Sequence, residues 1–121
     1  MKMTTATRQV DGVTIVDISG QIVFGDESGA LRALICDLLG EGHRKILLNL
    51  ADINYIDSTG LGHLVSAVAS ARKVKGDLKL LKLTGKVQEM LQITKLHTVI
   101  DIMDDEAVAI ESFSRAITAT A

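Results

Sequence analysis

Three adjacent side chains could do chemistry. Asp57, Ser58 and Thr59 stand within Asn54-Tyr55-Ile56-Asp57-Ser58-Thr59-Gly60-Leu61-Gly62-His63. A hydroxyl next to a carboxylate, with a histidine downstream, calls for a test of nucleophilic catalysis. The hydrolase elbow is Gly-x-Ser-x-Gly, and Ile56 occupies the place of its first glycine. On a helix, the offset from Ser58 to His63 carries the two side chains well around the cylinder from each other. Asp57 is adjacent in sequence to Ser58, whereas an orienting acid stands behind the histidine. These departures argue against a small serine hydrolase. The plainer reading is a helix start. Ser58 or Thr59 can cap it by accepting from an orphan backbone N–H. The free N–H groups and the dipole at that end favour an anion. Gly60 and Gly62 put no bulk around the hydroxyls, so another protein can approach closely. Each costs about 1 kcal/mol of helix propensity against alanine.

Other reactive patterns fail on spacing. Thr84-Gly85-Lys86 ends like a phosphate loop, but Leu80 stands where the earlier glycine is required. His43, His63 and His97 are scattered, with no metal-ligand spacing. Cys36 is the single cysteine, so no internal disulfide is possible and a reducing compartment fits. It lies next to an apolar stripe and reads as a small core hydrophobe. No cofactor and no metal is expected.

The chain that must position these groups has 121 residues, 47% of them apolar, which suits one domain over residues 1–121. About 1–3 and 118–121 are expected to fray. Phe24, Tyr55 and Phe113 are its only aromatic residues, so the core must be aliphatic. A formal charge of −2 gives no electrostatic case for nucleic acid or an anionic membrane. Lys2 is followed by no apolar stretch of a signal peptide, and no run approaches the roughly 18 residues of a membrane span. A cytoplasmic location is expected.

Asp11-Gly12 between extended runs, Thr4 to Val10 and Val13 to Ser19, predicts a hairpin. Asp26 or Ser28 can cap a helix whose stripe is Leu31, Leu34, Ile35 and Leu38. Lys45 to Leu50 reads as a central strand. The helix after Ser58 carries Leu61, Leu64, Val65 and Val68 inward, and Arg72, Lys73 and Lys75 complement its C-terminal dipole. Leu78 to Leu83 is a fourth strand, and Thr84 can cap a helix with Val87, Met90 and Leu91. Val99 to Met103 is a fifth strand. Asp104 and Asp105 open a last helix with Ala107, Ile110, Phe113 and Ile117 inward. Strands alternating with helices after a hairpin predict an α/β fold: a mixed, largely parallel sheet of about five strands with about four helices.

Ile56-Asp57-Ser58-Thr59-Gly60-Leu61-Gly62 resembles the hallmark of the STAS domain family, in particular of bacterial anti-sigma factor antagonists. The resemblance extends through the hairpin, Ile18-Ser19-Gly20-Gln21-Ile22, Leu31-Arg32, Leu47-Leu48-Asn49-Leu50 and Leu91-Gln92-Ile93-Thr94-Lys95-Leu96. It implies a non-enzymatic phosphorylation switch with Ser58 as acceptor. Asp57, Thr59, Gly60, Leu61 and Gly62 would belong to the partner-binding surface. The implied partner is an anti-sigma factor that is a GHKL-type serine kinase, and a PP2C-type phosphatase would reset the switch. ATP and Mg²⁺ would belong to the kinase. Many such antagonists carry an aspartate just after the second strand. Here Gly20-Gln21-Ile22-Val23-Phe24 has none, and Asp26 or Glu27 would substitute. The alternative within the same family is a scaffold or transport-accessory protein.

Overall fold

The computed structural model describes residues 3–23 and 26–120, and only the backbone of residues 26–28 and 114–120. Strands β1 (Thr4–Val10) and β2 (Val13–Ile22) form the expected hairpin. Asp11 and Gly12 adopt φ of 51° and 81°, the doubly positive pair that a type I′ turn requires. Helix α1 (Asp26–Gly40), strand β3 (Lys45–Ile56), helix α2 (Ser58–Lys73), strand β4 (Asp77–Leu81) and helix α3 (Gly85–Ile93) follow. A 3-10 turn at Leu96–Thr98, strand β5 (Ile102–Met103) and helix α4 (Glu106–Thr120) complete the order.

The sheet order is β1-β2-β3-β4-β5. β1 runs antiparallel to β2, and every later pair is parallel. Alternation along the strands divides the core in two. On one face Val16, Ile18, Ile46, Leu48, Leu78 and Leu80 pack with Leu31 and Ile35 of α1, Leu64 and Val68 of α2, and Val87 and Leu91 of α3. On the other face Val13, Ile15, Leu47 and Leu81 pack against Ala109 and Phe113 of α4. The mixed, largely parallel sheet with four helices agrees with the expectation.

Several boundaries differ. β2 runs on to Ile22 and β3 to Ile56, because Ser19 to Ile22 pair with Asp52 to Ile56, with one register shift before Ser19 and another between Gly20 and Gln21. The polar Asp52 and Asn54 face outward in that extension, while Ile53 and Ile56 are buried. β5 is only two residues, because Val99 and Ile100 donate back to Leu96 and close the 3-10 turn. In α4, Ala107 is exposed and Ala109 is inward, and Ile117 lies outside the described side chains. Asp105 caps this helix through Val108 N–H at 3.1 Å. Thr84 precedes α3 without a capping bond; its hydroxyl donates to the Ile53 carbonyl at 2.8 Å. Cys36 is exposed, not in the core. One residue past Ile35 is about 100° around a helix, which takes it off the buried stripe.

Candidate functional site: the corner between β3 and α2

The buried Ile56 side chain anchors the end of β3, and the backbone turns at the next residue. Asp57 N–H donates to the Ile22 carbonyl at 3.2 Å, tying the corner to the end of β2. Asp57 then caps α2. Its φ of −100° and ψ of 179° are extended, and its Oδ1 accepts from Gly60 N–H at 2.8 Å. Its carbonyl accepts from Leu61 N–H at 2.9 Å. The expected cap at Ser58 or Thr59 is therefore corrected to Asp57. A carboxylate at that position also complements the helix dipole.

With the cap supplied by Asp57, Ser58 is the first helical residue, and its side chain is exposed. Thr59 is half-buried. The two glycines have different duties. Gly60 is buried, and a Cβ built on it would sit 2.1 Å from the Ile22 carbonyl oxygen and 2.9 Å from Ile22 Cγ2. Its missing side chain serves an internal contact, which corrects the expectation of close approach by a partner there. Leu61 is likewise buried, at 5% exposure. Gly62 is exposed, with no atom within 4 Å of an added Cβ, so close approach is open at Gly62 alone of the two.

Tyr55, 42% exposed, extends the surface to a groove of about 210 Å³ that Ile56, Lys86, Glu89, Met90 and Ile93 also line. Ile93, 72% exposed, leaves an aliphatic side chain open at that groove. Gln21 pairs with Tyr55 and Ile22 with Ile56, so the segment in which an acid was sought begins beside the motif. The side chains of Asp26 and Glu27 lie outside the described residues. Ile22 is the site residue that sequence reasoning missed. Its role rests on a backbone carbonyl brought alongside by strand pairing, and no local pattern signals that.

His63 Nδ1 is buried without a hydrogen-bond partner, so no Ser58–His63 pair is assembled through it. Among the described residues no group of three His, Cys, Asp or Glu side chains could hold a metal ion. No described helix is long and apolar enough to cross a membrane.

Comparison with known proteins agrees with the fold. Residues 4–109 match the STAS domain family. The anti-sigma-B factor antagonist of Bacillus subtilis is 32% identical over 103 residues, spanning 84% of this chain and 92% of that protein. A crystal structure of a Thermotoga maritima protein superposes with a TM-score of 0.85 at 27% identity, covering 91% of this chain and 94% of that one. The Bacillus cell fate determinant SpoIIAA in its phosphorylated form shares the fold, with a TM-score of 0.71 at 19% identity over 90% of this chain and 98% of that one. The chain belongs to the STAS domain family, in its anti-sigma factor antagonist branch.

Proposed function

We propose that this protein is a phosphorylation-switched antagonist, a cytoplasmic binding protein without catalytic activity of its own. Unmodified, it binds an anti-sigma factor that is a serine kinase and so frees the sigma factor. Phosphorylation of Ser58 ends the complex, and a PP2C-type phosphatase restores it. The observation that carries this reading is the division of labour at the corner. Asp57 does the capping, which leaves Ser58 exposed at the helix start, its hydroxyl making no hydrogen bond among the described residues. The relationship to an anti-sigma-B factor antagonist and the fold shared with a protein solved in a phosphorylated form support it.

The electrostatics give the switch its direction. A phosphate adds a charge of about −1.5 to −2. In the free protein it stays in water at a helix N-terminus, so the fold tolerates it. Against a docked kinase it must be desolvated beside the Asp57 carboxylate. An uncompensated cost of about 3 kcal/mol weakens binding more than a hundredfold. The partner surface on this reading is Asp57, Ser58, Thr59 and Gly62, with Tyr55 and the groove beside it. Gly60 and Leu61 act from beneath by fixing the corner, and Asp26 belongs to the neighbouring segment.

The test is affinity capture with the unmodified chain and with the chain phosphorylated at Ser58. Capture of a serine kinase of the GHKL type by the unmodified form alone is the expected result. Equal capture by both forms, or capture of transporter subunits instead, would overturn the reading.

A further inference from the structure

We propose that β1 is the seam of a symmetric homodimer, in which the β1 strands of two copies pair antiparallel about Thr7. β1 is the edge of the sheet; Thr4 to Thr7 and Gln9 are exposed, and Arg8 and Val10 are half-buried. Its ladder with β2 is unbroken over the whole strand, with no bulge, and the chain has no proline. Among the described residues nothing is paired along its outer side. An edge of this kind is a template for another strand; among the described residues it carries the charge of Arg8 but no proline, bulge or covering helix.

The hairpin fixes which backbone groups face outward. In a two-residue turn the flanking pair, here Val10 and Val13, exchanges both backbone bonds. Alternation then makes Arg8–Ile15, Ala6–Asp17 and Thr4–Ser19 the other bonded pairs. Thr5, Thr7 and Gln9 therefore turn N–H and C=O away from β2. These three are evenly spaced with Thr7 in the middle, so the pattern is self-complementary about a two-fold axis. Thr7 meets Thr7 of the second copy, and Thr5 meets Gln9 of the second copy, each pair exchanging both bonds.

The side chains select a second copy as the occupant. Thr5, Thr7 and Gln9 lie on the face of Ile18, Val16 and Thr14 and bring no charge to the seam. On the other face Arg8 of one copy falls opposite Ala6 of the second. Ala6 is itself paired with Asp17, so the guanidinium enters a row that offers a small side chain and then a carboxylate. Asp17 and Glu106 already hold each Arg8, which removes the penalty of two close cations. The two-fold uses β1 of both copies, and the other sheet edge, β5, is two residues long, so the assembly closes at two. β3 stands two places in from the seam, and the exposed Ser58 that follows it stays open in both copies.

Sedimentation equilibrium of the full chain from about 1 μM to about 1 mM should show a monomer–dimer equilibrium. Thr7→Pro deletes an N–H that makes no bond inside the monomer, so the fold should survive while the dimer dissociation constant rises by about tenfold or more. Cysteine pairing provides a second measure that does not depend on that variant folding. In a Cys36→Ser background, Thr7→Cys should form a disulfide-linked dimer under mild oxidation about tenfold faster than Thr5→Cys, because only position 7 meets itself. A chain monomeric throughout the range, a folded Thr7→Pro that dimerises like the parent, or equal cross-linking at positions 5 and 7 would each overturn the proposal.

Discussion

The Ile22 carbonyl oxygen occupies the space that a side chain on Gly60 would need, 2.1 Å from the position of its Cβ. The same carbonyl accepts from Asp57 N–H, so one backbone group of β2 sets both the start of α2 and the residue type three positions later.

Gly60→Val should therefore destabilise the protein by about 1–3 kcal/mol or more, as overpacking against backbone does. Gly62→Ala should do the reverse. Nothing obstructs a Cβ there, and alanine is favoured in a helix by up to about 1 kcal/mol. Urea unfolding of both variants measures this. Kinase affinity should fall for folded Gly62→Ala if the partner seats its backbone at that point. A Gly60 variant as stable as the parent would show that Ile22 yields.

Ser58→Ala should leave stability within about 0.5 kcal/mol of the parent, because the cap is Asp57 and Ser58 is exposed. Asp57→Ala should lose about 1 kcal/mol, and Asp57→Asn much less, since asparagine also caps. In cells Ser58→Ala should keep the sigma factor released, and Ser58→Glu, with about half the phosphate charge, should bind the kinase weakly. Phosphosite mapping after incubation with kinase and ATP should place the modification on Ser58. Modification of Thr59 with Ser58 untouched would refute the assignment.

Arg8 joins the hairpin to α4. Its Nε donates to Asp17 Oδ2 at 2.8 Å and its Nη1 to Glu106 Oε2 at 3.1 Å. Asn49 Nδ2 adds a bond to Asp17 Oδ1 at 2.8 Å. Hydrogen bonds from Arg8, more than its charge, hold both carboxyls below the ordinary carboxylate range. A folded-state value below the unfolded one stabilises above the unfolded value, and that contribution disappears as pH falls through the folded value. Arg8→Gln should thus cost about 1 kcal/mol near pH 7, a figure kept small because these side chains are about a third exposed. The difference from the parent should close as pH falls below about 4. Denaturant titrations across that range would test the sign, and a difference that grew on acidification would contradict it.

Lys79 is only 4% exposed, on the α4 side of β4. Its Nζ donates to Ser112 Oγ at 2.8 Å, lies 4.7 Å from the centre of the Phe113 ring and 3.7 Å from Asp101 Oδ2. Lys79→Met keeps the apolar stem and removes a desolvated charge, so stability should stay within about 1 kcal/mol or rise. Phe113→Ala opens a cavity and uncovers the ammonium, and should cost about 3–5 kcal/mol. Thermal unfolding of both would decide whether the lysine or the ring holds α4 to the sheet. A larger loss for Lys79→Met than for Phe113→Ala would reverse that order.

What the sequence determined by itself was local or periodic. Asp11-Gly12 specifies its own turn, because positive φ at both positions is a property of those two residues. The stripe of Leu31, Ile35 and Leu38 and the run Ile46 to Leu48 declare a buried face before any neighbour is known. Asp57 to Gly62 marks the corner in the same way, whereas only the structure gives the cap to Asp57 and leaves Ser58 exposed. Tertiary structure decided whatever depended on two distant segments meeting. β3 extends to Ile56 only because Ser19 to Ile22 lie alongside it, and Val99 to Met103 shrinks to two strand residues because the backbone of Leu96 competes for its N–H groups. Gly60 reads in sequence as open space for a partner and is in fact filled by Ile22. Arg8 and Glu106 stand 98 positions apart, and no period or propensity links them. Hydrophobic patterning selects which face of an element is buried, whereas the atom that meets a given Cα or guanidinium is set by strand register and helix placement.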